Sequence, residues 1–166
     1  MTSSAAAAGP FARGALVDQE VDAAALAREV SHAGAGAVVT FLGTVRDEHL
    51  GRRVLAMDYA AYAPMASREL QALAEEAARR WPAARVAVAH RVGALTLGDV
   101  SVAIVVAHPH RGPAFDACRW MLETIKRRVP IWKREHYADG SIAWVDAREG
   151  AAPPPDVRDE PAVSAD

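Results

Sequence analysis

Between Ala107 and Glu135 the chain places His110, Arg111, Lys126 and Lys133 among Ile125, Val129, Ile131 and Trp132. A solvated basic face would not need apolar residues between its charges. The pattern describes a cationic pocket with an apolar wall, suited to an anionic, ring-containing substrate. A lysine that is partly desolvated beside other cations gives up its proton more readily and can serve as base or nucleophile. Lys126 falls one helical turn after Leu122, on the border of an apolar stripe. Its plainer role is a packed stem with the ammonium in water. Lys133 alternates with Ile131 and Glu135 on one strand face, while Trp132 points the other way. Its plainer role is a surface lysine that discourages edge pairing.

His108 and His110 stand two apart, a spacing that serves a metal only if other ligands converge. With Cys118 the single cysteine, and no His-Glu-x-x-His pattern, no metal site is expected. His110-Arg111-Gly112, at a strand end before a helix, better fits an anion site of backbone N–H groups and a guanidinium. Gly43-Thr44-Val45-Arg46 is a second strand end, and Arg46 is the expected partner in that same anion site. Cys118 lies on an apolar stripe and reads as a core thiol, with little claim to carry sulfur.

These residues need elements to position them. Asp18 can cap a helix over about 19–32, with Val21, Ala25 and Val30 inward, before Gly34 and Gly36 break it. Residues 37–42 form a buried strand, and 44–53 a polar loop. In the strand 54–61, Leu55, Met57 and Tyr59 share a face by period two. Pro64 opens a helix whose Ala66, Leu70, Leu73, Ala77 and Trp81 form a stripe, closed by Pro82. Val86, Val88, His90 and Val92 alternate as a strand, 93–99 turn, and 100–107 form an apolar strand. A helix over 113–128 presents Phe115, Cys118, Leu122, Ile125 and, just past its end, Val129 inward until Pro130 stops the helix. Residues 131–135 are extended, and 141–147 are a last strand. The expected class is α+β, helices against a mixed or antiparallel sheet.

A length of 166 residues with 51% hydrophobic content supports one ordinary domain with its own core. The formal net charge of −2 argues against a polyanion binder, so the basic residues matter only where they cluster. The single cysteine fits a reducing compartment. No apolar run approaches the ~18 residues of a membrane span, and the Ala-rich start makes a poor signal peptide. A cytoplasmic location is expected, with flexible tails over 1–14 and 150–166 around a domain over 15–149.

The set of residues resembles the large, catalytic subunit of molybdopterin synthase. The resemblance is carried by residues 36–46, Trp81-Pro82, His90-Arg91-Val92-Gly93, Gly98-Asp99, His110-Arg111, Ala114-Phe115, Lys126, residues 130–135 and residues 144–149. It implies an α/β hammerhead fold and a homodimer at the centre of a heterotetramer. It also implies a small ubiquitin-like partner ending in a Gly-Gly thiocarboxylate, whose sulfur goes to cyclic pyranopterin monophosphate to make the molybdopterin dithiolene. No resident cofactor is implied. By position, Lys126 and Lys133 match the catalytic lysines. Thr44, Val45, Arg46, His110 and Arg111 match substrate contacts, Arg134 and Glu135 flank the second lysine, and Arg148 matches an arginine supplied across the dimer. A chain without a reactive cysteine makes chemical sense if the sulfur arrives from outside. The competing readings are an RNA-binding module with Trp132 as stacking platform, against which the acidic balance argues, and a non-catalytic scaffold for a ubiquitin-like tail.

Overall fold

The computed structural model describes residues 10–145. Two sheets and three helices make up this part. The first sheet has the order β1 (Phe11–Val17), β5 (Arg85–Arg91), β7 (Val100–His108), β2 (Ala37–Thr44), and the second the order β3 (Glu48–His49), β4 (Arg52–Ala61), β8 (Ile131–Tyr137), β9 (Ile142–Val145), with β6 (Gly93–Thr96) also paired to β4. The expected α+β class holds, and the helices pack on the first sheet.

In that sheet β1 (Phe11–Val17) runs parallel to β5 (Arg85–Arg91). β5 pairs antiparallel with β7 (Val100–His108), and β7 with β2 (Ala37–Thr44). The two central strands are buried on both faces, and their alternation sorts residues by size. Val86, Val88, Val102, Ile104 and Val106 face α2 (Ala63–Arg80) and α3 (Arg111–Arg128). Ala87, Ala89, Ala103, Val105 and Ala107 face the shorter α1 (Ala23–Val30). Small side chains there let a thin two-turn helix sit close, with Val21, Leu26 and Val30 filling the gap.

Several expectations need correction. The flexible tail expected over 1–14 gives way to β1 from Phe11 onward. Its Gly-Ala composition answers a packing need: a Cβ at Gly14 would stand 2.2 Å from the Leu70 backbone, so only glycine lets α2 cross β1. The first helix starts later than expected, because Asp22 and not Asp18 caps it, accepting from Ala25 N–H at 2.8 Å. The stripe of α3 is turned slightly: Ala114, Ala117, Cys118, Met121 and Ile125 are buried, and Phe115 is 60% exposed.

In the second sheet β4 (Arg52–Ala61) is the spine, pairing with β8 (Ile131–Tyr137) along its length. A bulge between Val54 and Ala56 shifts the alternation, so Val54 and Met57 are buried and Leu55 is exposed, against the expected face. The stretch expected as a turn after Val92 contains β6 (Gly93–Thr96), whose Leu95 is buried opposite Met57. β9 (Ile142–Val145) borders β8. None of the described helices is long and apolar enough to cross a membrane.

Within the expected polar loop, β3 (Glu48–His49) folds back onto β4 through Leu50 and Gly51, both at positive φ (50° and 74°). That geometry suits asparagine and glycine and strains leucine. Leu50 is 87% exposed, so it gains no burial in return. Leu50→Asn is expected to stabilise the fold by about 0.5–1 kcal/mol, read as a raised denaturant midpoint with unchanged slope.

Candidate active site

A cleft of about 620 Å³ opens between the two sheets and the last turns of α3. The end of β2 supplies Phe41 and Thr44, followed by Arg46. α3 supplies Leu122, Ile125 and Lys126, β4 supplies Met57 and Tyr59, and β8 supplies Ile131 and Lys133. The apolar wall beside cationic groups, expected from the sequence, is therefore present. Pro130 produces it: the helix stops at Arg128, and the chain turns directly into β8. Lys126 then hangs from the helix end and Lys133 from the strand that follows. In register, Lys133 lies opposite Tyr59 on one side and Val145 on the other.

The three cations differ in their surroundings. Lys126 and Arg46 are exposed in the cleft, and neither has an ion-pair or hydrogen-bond partner among the described residues. The Lys133 ammonium is held 3.2 Å from Glu135 Oε1, its side chain 24% exposed. Glu135 itself is 1% exposed and also accepts from the Tyr137 hydroxyl at 2.7 Å, with His49 Nδ1 2.8 Å away. Burial pushes the Glu135 carboxyl up, but the Tyr137 hydrogen bond, the Lys133 ammonium and His49 together hold it below its ordinary range. Glu135 is thus a buried anion that fixes one lysine and leaves the other free. Cys118 stays in the core, where burial pushes its thiol up to about 11, and it does not line the cleft.

The family described as MoaE protein matches residues 16–128. The molybdopterin synthase catalytic subunit of Halalkalibacterium halodurans is 44% identical over 133 residues, which is 80% of this chain and 85% of that protein. The chain belongs to the MoaE family of molybdopterin synthase catalytic subunits. The crystal structure of molybdopterin synthase from Staphylococcus aureus superposes with a TM-score of 0.76 at 33% identity, covering 80% of this chain and 96% of that one. A chain from the Helicobacter pylori complex of molybdopterin-converting factor subunits 1 and 2 shares the fold at 20% identity and a TM-score of 0.64, over 83% of this chain and 92% of that one.

Not every residue expected at a MoaE site meets in this cleft. Val45 is 4% exposed and packs with Met57 and Leu95. Its N–H donates to Asp99 O and its carbonyl accepts from Gly98 N–H, so it shapes the strand end and offers nothing to a ligand. Arg134 lies on the opposite face of β8, donating through Nε and Nη2 to Asp58 at 3.0 and 2.8 Å and lying over Trp144. His110 and Arg111 line a separate pocket of about 420 Å³ with Gly36, Pro109 and Gly112. The anion site expected to join them to Arg46 does not form within one chain. The reason is the β2–β7 ladder: His108 pairs with Ala37 and Val100 with Thr44, which puts the two pockets at opposite ends of a strand. Seven residues of strand separate them by about 23 Å. Arg148 lies outside the described residues.

The cleft also holds groups that sequence reasoning missed: His49, Tyr59, Ser101 and His90. His90 carried a signal, being a polar residue in phase with Val86 and Val88 on a strand face that is otherwise apolar. His49 carried none, since only the Leu50–Gly51 turn brings it under Glu135.

Proposed function

We propose that Lys126 and Lys133 are the catalytic pair for transfer of sulfur from the C-terminal thiocarboxylate of a small ubiquitin-like partner to cyclic pyranopterin monophosphate, forming the molybdopterin dithiolene. One observation carries this reading: a lysine with no partner among the described residues and a carboxylate-anchored lysine line a single cleft together with Arg46. A thiocarboxylate and a phosphate both lose water on entering such a cleft, and the cations offset that cost. Lys126 acts as proton acceptor or as brief acceptor of the spent acyl tail. Thr44 and Arg46 hold the anionic end of the substrate. The Helicobacter pylori complex of two subunits supports a small partner for this chain too. The working location is the cytoplasm.

The test is reconstitution with a thiocarboxylated small subunit and the pyranopterin precursor. Dithiolene product is expected, and its absence where another MoaE protein turns over would refute the assignment.

His110 and Arg111 enter the reading through a second copy of the chain. Their pocket cannot reach Lys126 within one subunit, so a homodimer in which each cleft borrows them from its neighbour, with Arg148, accommodates these three contacts. Lys126→Ala and Arg111→Ala homodimers should each be nearly inactive. In a mixed dimer one site carries both lesions and the other neither, so random exchange should restore roughly a quarter of wild-type activity. No recovery after exchange verified by mass spectrometry would leave Arg111 outside a shared site.

A further inference from the structure

His90 lines the cleft and is only 7% exposed. Its ring cannot turn freely, being packed edge-on to Tyr59 at 5.1 Å and 69°, while its backbone is clamped in register between Leu16 and Val102. Nδ1 stands 2.9 Å from the Arg91 carbonyl oxygen. A carbonyl only accepts, so Nδ1 carries the proton, and Nε2 of the neutral ring is a bare lone pair. Nε2 has no partner among the described residues, nor is it one of the sealed orphan nitrogens. Burial pushes the ring down to about 4 against the pull of the Arg91 carbonyl, so the neutral form persists at neutral pH.

An acceptor that faces the cleft without a donor among the described residues is open to a ligand's donor. The chemistry around it narrows that ligand. Arg46 and the Glu135-paired Lys133 only donate, so they collect oxyanions, whereas a fixed lone pair repels an oxyanion and attracts an N–H. Taking the substrate assigned above, we infer that His90 Nε2 accepts a hydrogen bond from a ring N–H of the pterin-class substrate. The contact turns the heterocycle toward β5 and the phosphate toward Arg46 and Lys126. His90 is therefore a specificity residue that separates an N–H-bearing heterocyclic phosphate from other aryl phosphates.

Calorimetric titration of the full chain with cyclic pyranopterin monophosphate and with phenyl phosphate tests this. His90→Asn keeps a donor for the Arg91 carbonyl and lacks the outer acceptor, whereas His90→Gln carries a carbonyl oxygen near the Nε2 position. The asparagine variant should bind the pterin compound about tenfold more weakly, with phenyl phosphate unchanged and glutamine recovering most of the loss. Wild-type-like binding of both ligands by His90→Asn overturns the inference, as does equal loss of both. A wild-type chain that does not prefer the pterin compound overturns the substrate assignment and the contact with it. The unsubstituted protein gives an independent measurement: the ¹⁵N resonance of His90 Nε2 should move upfield with the pterin compound and not with phenyl phosphate. An unmoved resonance at saturation refutes the contact.

Discussion

Lys126→Ala is expected to lower sulfur transfer by about a hundredfold or more while leaving stability within about 0.5 kcal/mol of wild type. The amine stands in the open cleft with no partner among the described residues, whereas Ile125 and Val129 beside it carry the packing. Lys126→Arg should fail as well. A guanidinium keeps the charge, but it neither gives up a proton nor attacks an acyl carbon at neutral pH. Single-turnover assays on a thiocarboxylated partner separate the two roles. An arginine variant close to wild type would reduce Lys126 to an electrostatic contact.

Glu135→Ala should damage the fold far more than Lys126→Ala, costing about 3–5 kcal/mol, because it strands the Lys133 ammonium in a half-buried site. Glu135→Gln keeps the volume and the Tyr137 hydrogen bond and removes only the charge. It should fold, yet lose activity, since Lys133 is no longer held in place. Acid sensitivity provides the check. The Glu135 carboxyl titrates lower in the folded chain than its ordinary value of 4.5, so its stabilisation is complete above that value and drains away as pH falls through the folded one. Urea unfolding of wild type should therefore weaken below about pH 4.5 more steeply than that of Glu135→Gln. His90 adds a separate slope between 6.5 and about 4, where the unfolded chain takes up a proton that the buried ring refuses. That slope should survive in Glu135→Gln. Parallel curves for the two proteins throughout would mean that Glu135 is not an ionised anchor.

The elements that position the lysines were legible because their signals are local. Pro130 stops a helix wherever it stands, and period two separates Lys133 from Trp132 without knowledge of the partner strands. β1 and β6 were not legible. Their reasons for existing lie far along the chain: Gly14 answers to Leu70, and Leu95 answers to Met57. The bulge after Val54 belongs to the pairing with β8 and leaves no mark in the alternation of β4 alone. The charged residues show that limit only in part. Spacing identified a cationic cluster, yet the helix expected between them already sets Arg111 and Lys126 about 22 Å apart, and the ladder between β2 and β7 likewise places their pockets at opposite ends of a strand. Period two already set Glu135 beside Lys133, whereas Asp58, which claims Arg134 from another strand, had no spacing rule to announce it.

The pairing of β4 with β8 has a consequence for how this molecule is made. Asp58 and Arg134, partners across that ladder, are 76 residues apart in the chain. At a synthesis rate of about 5–20 residues per second, β4 leaves the ribosome several seconds before β8 exists. The β3 hairpin and then β6 can occupy one flank of β4 meanwhile, but the flank that will take β8 stays bare. Closing so long a loop is slow even once the chain is complete. The nascent protein must therefore pass through a stage in which the first sheet can already gather its helices while an open strand edge invites pairing with other chains. The cleft is the last part to be assembled, and a chain cut short before Ile131 would expose that edge permanently.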